Sequence, residues 1–333
     1  MHKVNITRGK TTEFLDFVLK ICKLCIIWLF FNLAPFSSTA DSQVCPGIYC
    51  GKTLLENKTY TQCGACPRGY ISDESSICQP CDDVPSFYDW LYLSFMVLAS
   101  IVLHWFFIDW FSNRQNIVLF YISALVECVG SALLTLVMVE PVGTLSVRSC
   151  HTQRLSDWYT MLYNPHPGYT STLYCTQEAV YPLYTMVFMY YAVSLCLMLL
   201  FRPLLSNRLC KNKGAASIYA ALYFIPILVV VHAVGAGLIY YAFPYIVIVA
   251  SVLTNAVYFA QRDIQNVRQI VSSKRNILIL CGHWIVHAFG IIAITGLKEP
   301  LVHGPLLSLT PTPAIFYLLT VKFTEPSKFQ GGH

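Results

Sequence analysis

Over residues 87–321 the chain is a succession of apolar segments parted by short polar loops. A helix needs about 20 apolar residues to cross the hydrocarbon core of a bilayer. Lipid offers a spanning backbone no hydrogen-bond partner but itself, which selects helices. Helices are expected near 87–108, 117–139, 179–201, 218–241, 243–260, 277–296 and 301–321. The stretch 243–260 is short and opens at Pro244, and 301–321 holds Pro305, Pro311 and Pro313, so these two depart most from a regular span. Composition agrees: 56% of the residues are hydrophobic and 12% charged, where a soluble domain carries roughly 25% charged residues. The net charge of +5 is spread along the chain in short clusters, so no nucleic-acid partner is expected. The fold class that follows is an all-α polytopic membrane protein of about seven transmembrane helices, preceded by a small N-terminal disulfide-rich module.

Ahead of the helices, Lys3, Arg8, Lys10, Lys20 and Lys23 precede an apolar run over 24–36, and Ser38 and Ala40 take the −3 and −1 positions of a cleavage site. Basic flank, short apolar centre and small-residue exit describe a signal peptide over 1–40, or a signal anchor if it is retained. Either one places the module 41–86 outside the cytosol. That compartment decides how its cysteines are read. Cys45, Cys50, Cys63, Cys66, Cys78 and Cys81 are spaced C-x4-C-x12-C-x2-C-x11-C-x2-C. In the cytosol the two C-x2-C pairs would describe a zinc ribbon. In an oxidising compartment, six cysteines in a module too small for its own core describe three disulfides, whose pairing the spacing leaves open. Asn57-Lys58-Thr59 is a glycosylation sequon in the same module. Cys150 and Cys175, in the outer loop 140–178, are a candidate fourth disulfide that would staple that loop.

Orientation follows from the basic residues of the loops. With the module outside, the cytosolic loops hold Arg114; Arg202, Arg208, Lys211 and Lys213; Arg262, Arg268, Lys274 and Arg275; and Lys322 and Lys328. These eleven stand against three in the opposite loops, Arg148, Arg154 and Lys298. The segment 322–333 is then a cytosolic tail.

Titratable groups within spans are functional candidates by default. They are His104, Glu127, His232, His283 and His287. Glu127 and His287 fall near mid-depth and are expected to pair. His283 and His287 share a helical face at i and i+4, as a metal pair would, with His104 as a candidate third ligand. An intramembrane hydrolase of that kind also needs a serine and acidic partners in fixed helices, and that set is not found, so no metal and no cofactor are expected. Ala233 and Gly237, in a small-x3-small pattern, would allow close helix packing, and Pro226 implies a kink. The chain has no Walker loop, dinucleotide fingerprint, nucleophile elbow or zinc-protease box. Its cytosolic parts are too short for a catalytic domain, which leaves a recruiter of cytosolic proteins or a seven-helix receptor with the module as ligand-binding head. An intramembrane transporter or metal hydrolase using Glu127, His104, His283 and His287 is the remaining alternative.

Longer runs carry a resemblance. Gly47-Ile48-Tyr49-Cys50-Gly51-Lys52-Thr53-Leu54-Leu55, Tyr88-Asp89-Trp90-Leu91-Tyr92-Leu93, His104-Trp105-Phe106-Phe107, Ser156-Asp157-Trp158-Tyr159-Thr160-Met161-Leu162-Tyr163-Asn164-Pro165, Tyr240-Tyr241-Ala242-Phe243-Pro244-Tyr245 and Lys322-Phe323-Thr324-Glu325-Pro326-Ser327 resemble the c-Jun N-terminal kinase-associated membrane proteins. The likeness covers about 45–327, and the extended N-terminus departs from the family pattern. It implies a multispan endoplasmic-reticulum membrane protein that is not an enzyme. The expected partners are c-Jun N-terminal kinase, proteasome subunits, membrane ubiquitin ligases and other components of endoplasmic-reticulum-associated degradation. For the kinase, Lys274 and Arg275 followed by the aliphatics of 277–280 have the form of a docking peptide.

Overall fold

In the computed structural model, residues 45, 47–111, 117–163, 175, 177–209 and 215–324 are described. The expected signal segment 1–40 and the last nine residues of the expected tail, 325–333, lie outside the described residues. Helices α1 (Phe87–Phe111), α2 (Ile117–Met138) and α3 (Leu183–Leu209) form over the first three expected spans. The fourth and fifth expected spans are one helical run, α4 (Ala215–Gln261). A short α5 (Val267–Val271) leads to α6 (Lys274–Thr295). The last expected span is broken at its prolines into α7 (Pro300–His303), a 3-10 stretch (Pro305–Leu309) and α8 (Thr312–Thr324), the first two each with proline in their opening turn, where its missing N–H costs nothing. Among the described residues, six helical segments are long and apolar enough to cross a membrane.

These helices are apolar on every face, as a bilayer demands. α1 turns Tyr92, Met96 and Ile108 inward while Val102, Phe106 and Trp110 remain exposed on its outer side. The inner faces meet in an aromatic core of Tyr92, Trp158, Tyr191, Phe224, Tyr240 and Phe243. Tyr92 meets Trp158 edge-on at 5.7 Å and Tyr240 at 5.2 Å. Trp158 comes from a 3-10 segment (Leu155–Tyr163) in the long loop between α2 and α3. Gly237 admits it: a Cβ there would stand 2.7 Å from the Trp158 Cβ. The small residue at 237 thus admits this loop segment.

α4 spans 47 residues, about 70 Å if straight, against a hydrocarbon core of ~30 Å. Its two halves meet different neighbours. Ser217 and Phe224 meet Arg202, His104 and Phe107 toward one end of the bundle, and Tyr240 meets Tyr88 and Asp89 at the other. The second half lies beside α6, with Ser251 on His287, Thr254 on His283 and Tyr258 on Asn276. A run of this length exceeds what one crossing needs, and the count is about seven. Pro244 explains the local chemistry. It has no N–H for the Tyr240 carbonyl four residues earlier, and the Tyr88 hydroxyl donates to that carbonyl instead, at 2.7 Å.

The module consists of two short antiparallel ribbons, β1 (Cys50–Gly51) with β2 (Gly64–Ala65), and β3 (Tyr70–Ser72) with β4 (Cys78–Pro80). Two disulfides are internal, Cys45–Cys63 and Cys66–Cys78. The other two leave the module: Cys50 pairs with Cys175 and Cys81 with Cys150. Three internal bridges and a Cys150–Cys175 staple are thus both replaced, because the loop lies across the module instead of closing on itself. Backbone pairing of Asp83 with Ser149 and ion pairing of Arg148 with Asp82 at 2.8 Å continue the same seam.

Candidate functional site

A buried charged cluster lies among the helices. Arg202, fully buried in α3, donates from Nε to Glu127 Oε1 of α2 at 3.2 Å. Its Nη2 stands 2.9 Å from Glu127 Oε2, a contact of charge more than a directed hydrogen bond. The same Nη2 is 2.8 Å from His104 Nδ1 of α1, and Nη1 reaches the Ser217 carbonyl of α4 at 3.4 Å. Four helices are thus fastened at one guanidinium. An arginine stays protonated and only donates, so His104 accepts at Nδ1 and carries its own proton on Nε2. That nitrogen is buried without a hydrogen-bond partner, and the ring stands edge-on to Phe224 at 4.8 Å. Ser123 donates to Glu127 Oε1 at 2.6 Å, and Ser123 and Glu127 line a groove of about 440 Å³ whose other walls include Leu119, Val126, Phe201 and Leu204.

Two expectations are corrected here. Arg202 is not a loop residue: it sits among Leu199, Leu200, Leu204 and Leu205, an apolar setting in the sequence that already argues for a span. Glu127 does not pair with His287, because a buried carboxylate is better compensated by a fixed positive charge than by a neutral ring. His287 instead shares a hydrogen bond with Ser251 Oγ at 2.8 Å, and His283 one with Thr254 at 3.2 Å. With His104 held at Arg202, the three-histidine ligand set is not assembled. Among the described residues, no group of three or more His, Cys, Asp or Glu is placed to hold a metal ion. His232, the fifth candidate, meets Tyr92 at 3.5 Å and the Tyr184 carbonyl at 3.0 Å, tying α4 to α1 and α3.

A second polar knot was not foreseen. Ser86 and Asp89 form a reciprocal cap at the start of α1: the Ser86 N–H donates to Asp89 Oδ2 and the Asp89 N–H to Ser86 Oγ. The free carboxylate oxygen then accepts from Tyr240 at 2.6 Å, across the bundle. Serine three residues before an acid, just ahead of an apolar run, was the available signal.

On the module, Asn57 is exposed at a hairpin tip where its Oδ1 accepts from Thr59 N and from Thr59 Oγ1 at 2.6 Å. In the neighbouring turn, hydrogen bonds from Ser75, Ile77 and Gln79 hold the Asp73 carboxyl below its usual range. Under the module, burial pushes the Tyr181 phenol up. Lys274 and Arg275 are exposed in the first turn of α6. The aliphatics 277–280 that follow them are wound into that helix.

The family described as "JNK1/MAPK8-associated membrane protein" matches residues 45–326. The chain belongs to this family. The JNK1/MAPK8-associated membrane proteins of Mus musculus and Homo sapiens are each 52% identical to it over 294 residues, covering 85% of this chain and 94% of the relative. A Caenorhabditis elegans protein named as a homologue of the same family is 29% identical over 303 residues, covering 84% of this chain and 93% of its own. No solved structure matches. The family match takes in the module, all six apolar helical segments and both polar knots.

Proposed function

We propose that the chain is a non-enzymatic adaptor of the endoplasmic-reticulum membrane. It recruits the kinase for which its relatives are named, together with proteasome subunits and membrane ubiquitin ligases, to clear misfolded proteins. The observation that carries this reading is the 52% identity to the JNK1/MAPK8-associated membrane proteins over nearly the whole of both chains. In this reading the module is lumenal and the end carrying Arg275 and the last turn of α8 is cytosolic. Supporting the orientation are the basic residues of the loops, ten against three once Arg202 is counted with its helix, four disulfides gathered at one end and the exposed sequon at Asn57.

The test is proximity labelling from a C-terminal fusion in intact cells under proteotoxic stress, read by mass spectrometry. Enrichment of the kinase, proteasome subunits and membrane ubiquitin ligases is expected. Enrichment of trafficking and G-protein components in their place would give the protein to the receptor class. Lumenal chaperones alone would put the C-terminus on the module's side.

A further inference from the structure

The connection between α4 and α6 is built as a membrane-surface clamp. Residues 262–275 hold four bases, Arg262, Arg268, Lys274 and Arg275, against one acid, Asp263, whose carboxylate accepts from Gln265 at 3.0 Å. All four bases are exposed. The segment is ordered by two apolar anchors: Ile264 and Ile270 are 2% and 6% exposed and pack on Phe259, Leu280 and Ala314. α5 is capped at its start by Asn266 and Gln269, and Asn276 donates to the Gln269 carbonyl at 3.1 Å. The anchored helix turns Val267 and Val271, one turn apart, outward at 61% and 63% exposure, with Arg268 between them. α4 and α6 are both apolar helices of spanning length, which would put the loop joining them at the level of the lipid headgroups.

We propose that residues 262–275 bind the anionic phospholipid headgroups of the bilayer that holds the bundle, with Arg262, Arg268, Lys274 and Arg275 on the headgroups and Val267 and Val271 at the acyl boundary. Basic residues with apolar neighbours on one face are the chemistry of an interfacial helix. A soluble protein that took this segment as an extended peptide would have to pull Ile264 and Ile270 out of their packing. The proposal requires that α4 and α6 span the bilayer; it does not require kinase or proteasome recruitment.

The full chain is reconstituted in nanodiscs of phosphatidylcholine alone and of phosphatidylcholine with phosphatidylserine, and amide exchange of 262–275 is followed by mass spectrometry. Exchange there is expected to slow by about tenfold when the anionic lipid is present, and the difference to disappear in high salt and in the Arg262→Gln, Arg268→Gln, Lys274→Gln, Arg275→Gln variant. Protection of α6 serves as the folding control; the salt arm, run on the unmodified chain, decides if the variant does not fold. Equal exchange in the two lipids would overturn the proposal. So would protection of this segment by added kinase in discs of phosphatidylcholine alone.

Discussion

Arg202 shows what a single side chain does in this protein. With Glu127 and His104 it places charge where neither water nor lipid headgroups reach, and each partner exists to compensate the others. Removing one member should therefore cost more than removing two. Arg202→Met strands the Glu127 carboxylate, at about 3–5 kcal/mol. Adding Glu127→Gln should recover most of that loss. Thermal unfolding in lipid nanodiscs measures both, and additive losses would mean the two groups are not coupled. Gly51 carries a second residue-scale expectation. A Cβ there would stand 2.6 Å from the Cys66 sulfur and 2.7 Å from that of Cys78, so Gly51→Ala should scramble the module's disulfides. Non-reducing peptide mapping would show Cys66 and Cys78 in mixed partners, whereas an unchanged map would mean that the ribbon gives way. The sequence exposed Glu127 and His104 as candidates because titratable groups are conspicuous in apolar runs. Arg202 reads two ways in the sequence: its leucine neighbours argue for a span, while a basic residue near the end of a span also counts as the first residue of a loop.

At the scale of elements, α4 was the hardest to read. Two apolar runs around Pro244 are expected as two helices, and the structure holds one helical run. The reason is that the hydrogen bond lost at Pro244 is replaced from another helix, by Tyr88, a compensation 152 residues away in sequence that no local pattern reveals. This arrangement predicts a conditional effect. Tyr88→Phe leaves the Tyr240 carbonyl without its donor and should cost about 1–3 kcal/mol. In a Pro244→Ala background the alanine N–H can serve that carbonyl, and Tyr88→Phe should become nearly neutral. A double-mutant cycle by thermal unfolding would show a coupling of at least about 1 kcal/mol; an equal loss in both backgrounds would remove the proposed exchange of donors. The remaining spans were legible because membrane helices announce themselves by length and apolarity alone. The 3-10 segment carrying Trp158 was not, since its order comes from Gly237 and from the aromatic core it plugs.

Across the whole molecule, the disulfides join parts that the sequence keeps apart. Cys50–Cys175 and Cys81–Cys150 close spans of 125 and 69 residues, against 18 and 12 for the two internal bridges. The spacing within the module gave the oxidised state but could not give this pairing, because the deciding contacts lie in the α2–α3 loop: Gln177 accepts from the Cys66 N–H at 2.6 Å, and the Tyr49 hydroxyl donates to Asp157 at 2.9 Å. The two long bridges therefore fix the module to the loop that also supplies Trp158 to the helix core, and the two short ones hold the module's own shape. Replacing all four of Cys50, Cys175, Cys81 and Cys150 by serine should separate these roles. The apolar helices have their own packing and their own lipid, so their protection from exchange should persist. The module, left with two internal bridges and a core too small to stand alone, should come off the loop and open to trypsin at Lys58 and Arg68. Limited proteolysis of the full chain in nanodiscs reads this directly. If module and helices lost protection together, the loop would be a structural part of the bundle and the disulfides its fasteners. If neither lost protection, the polar contacts at Gln177 and Asp157 would be sufficient to hold the seam.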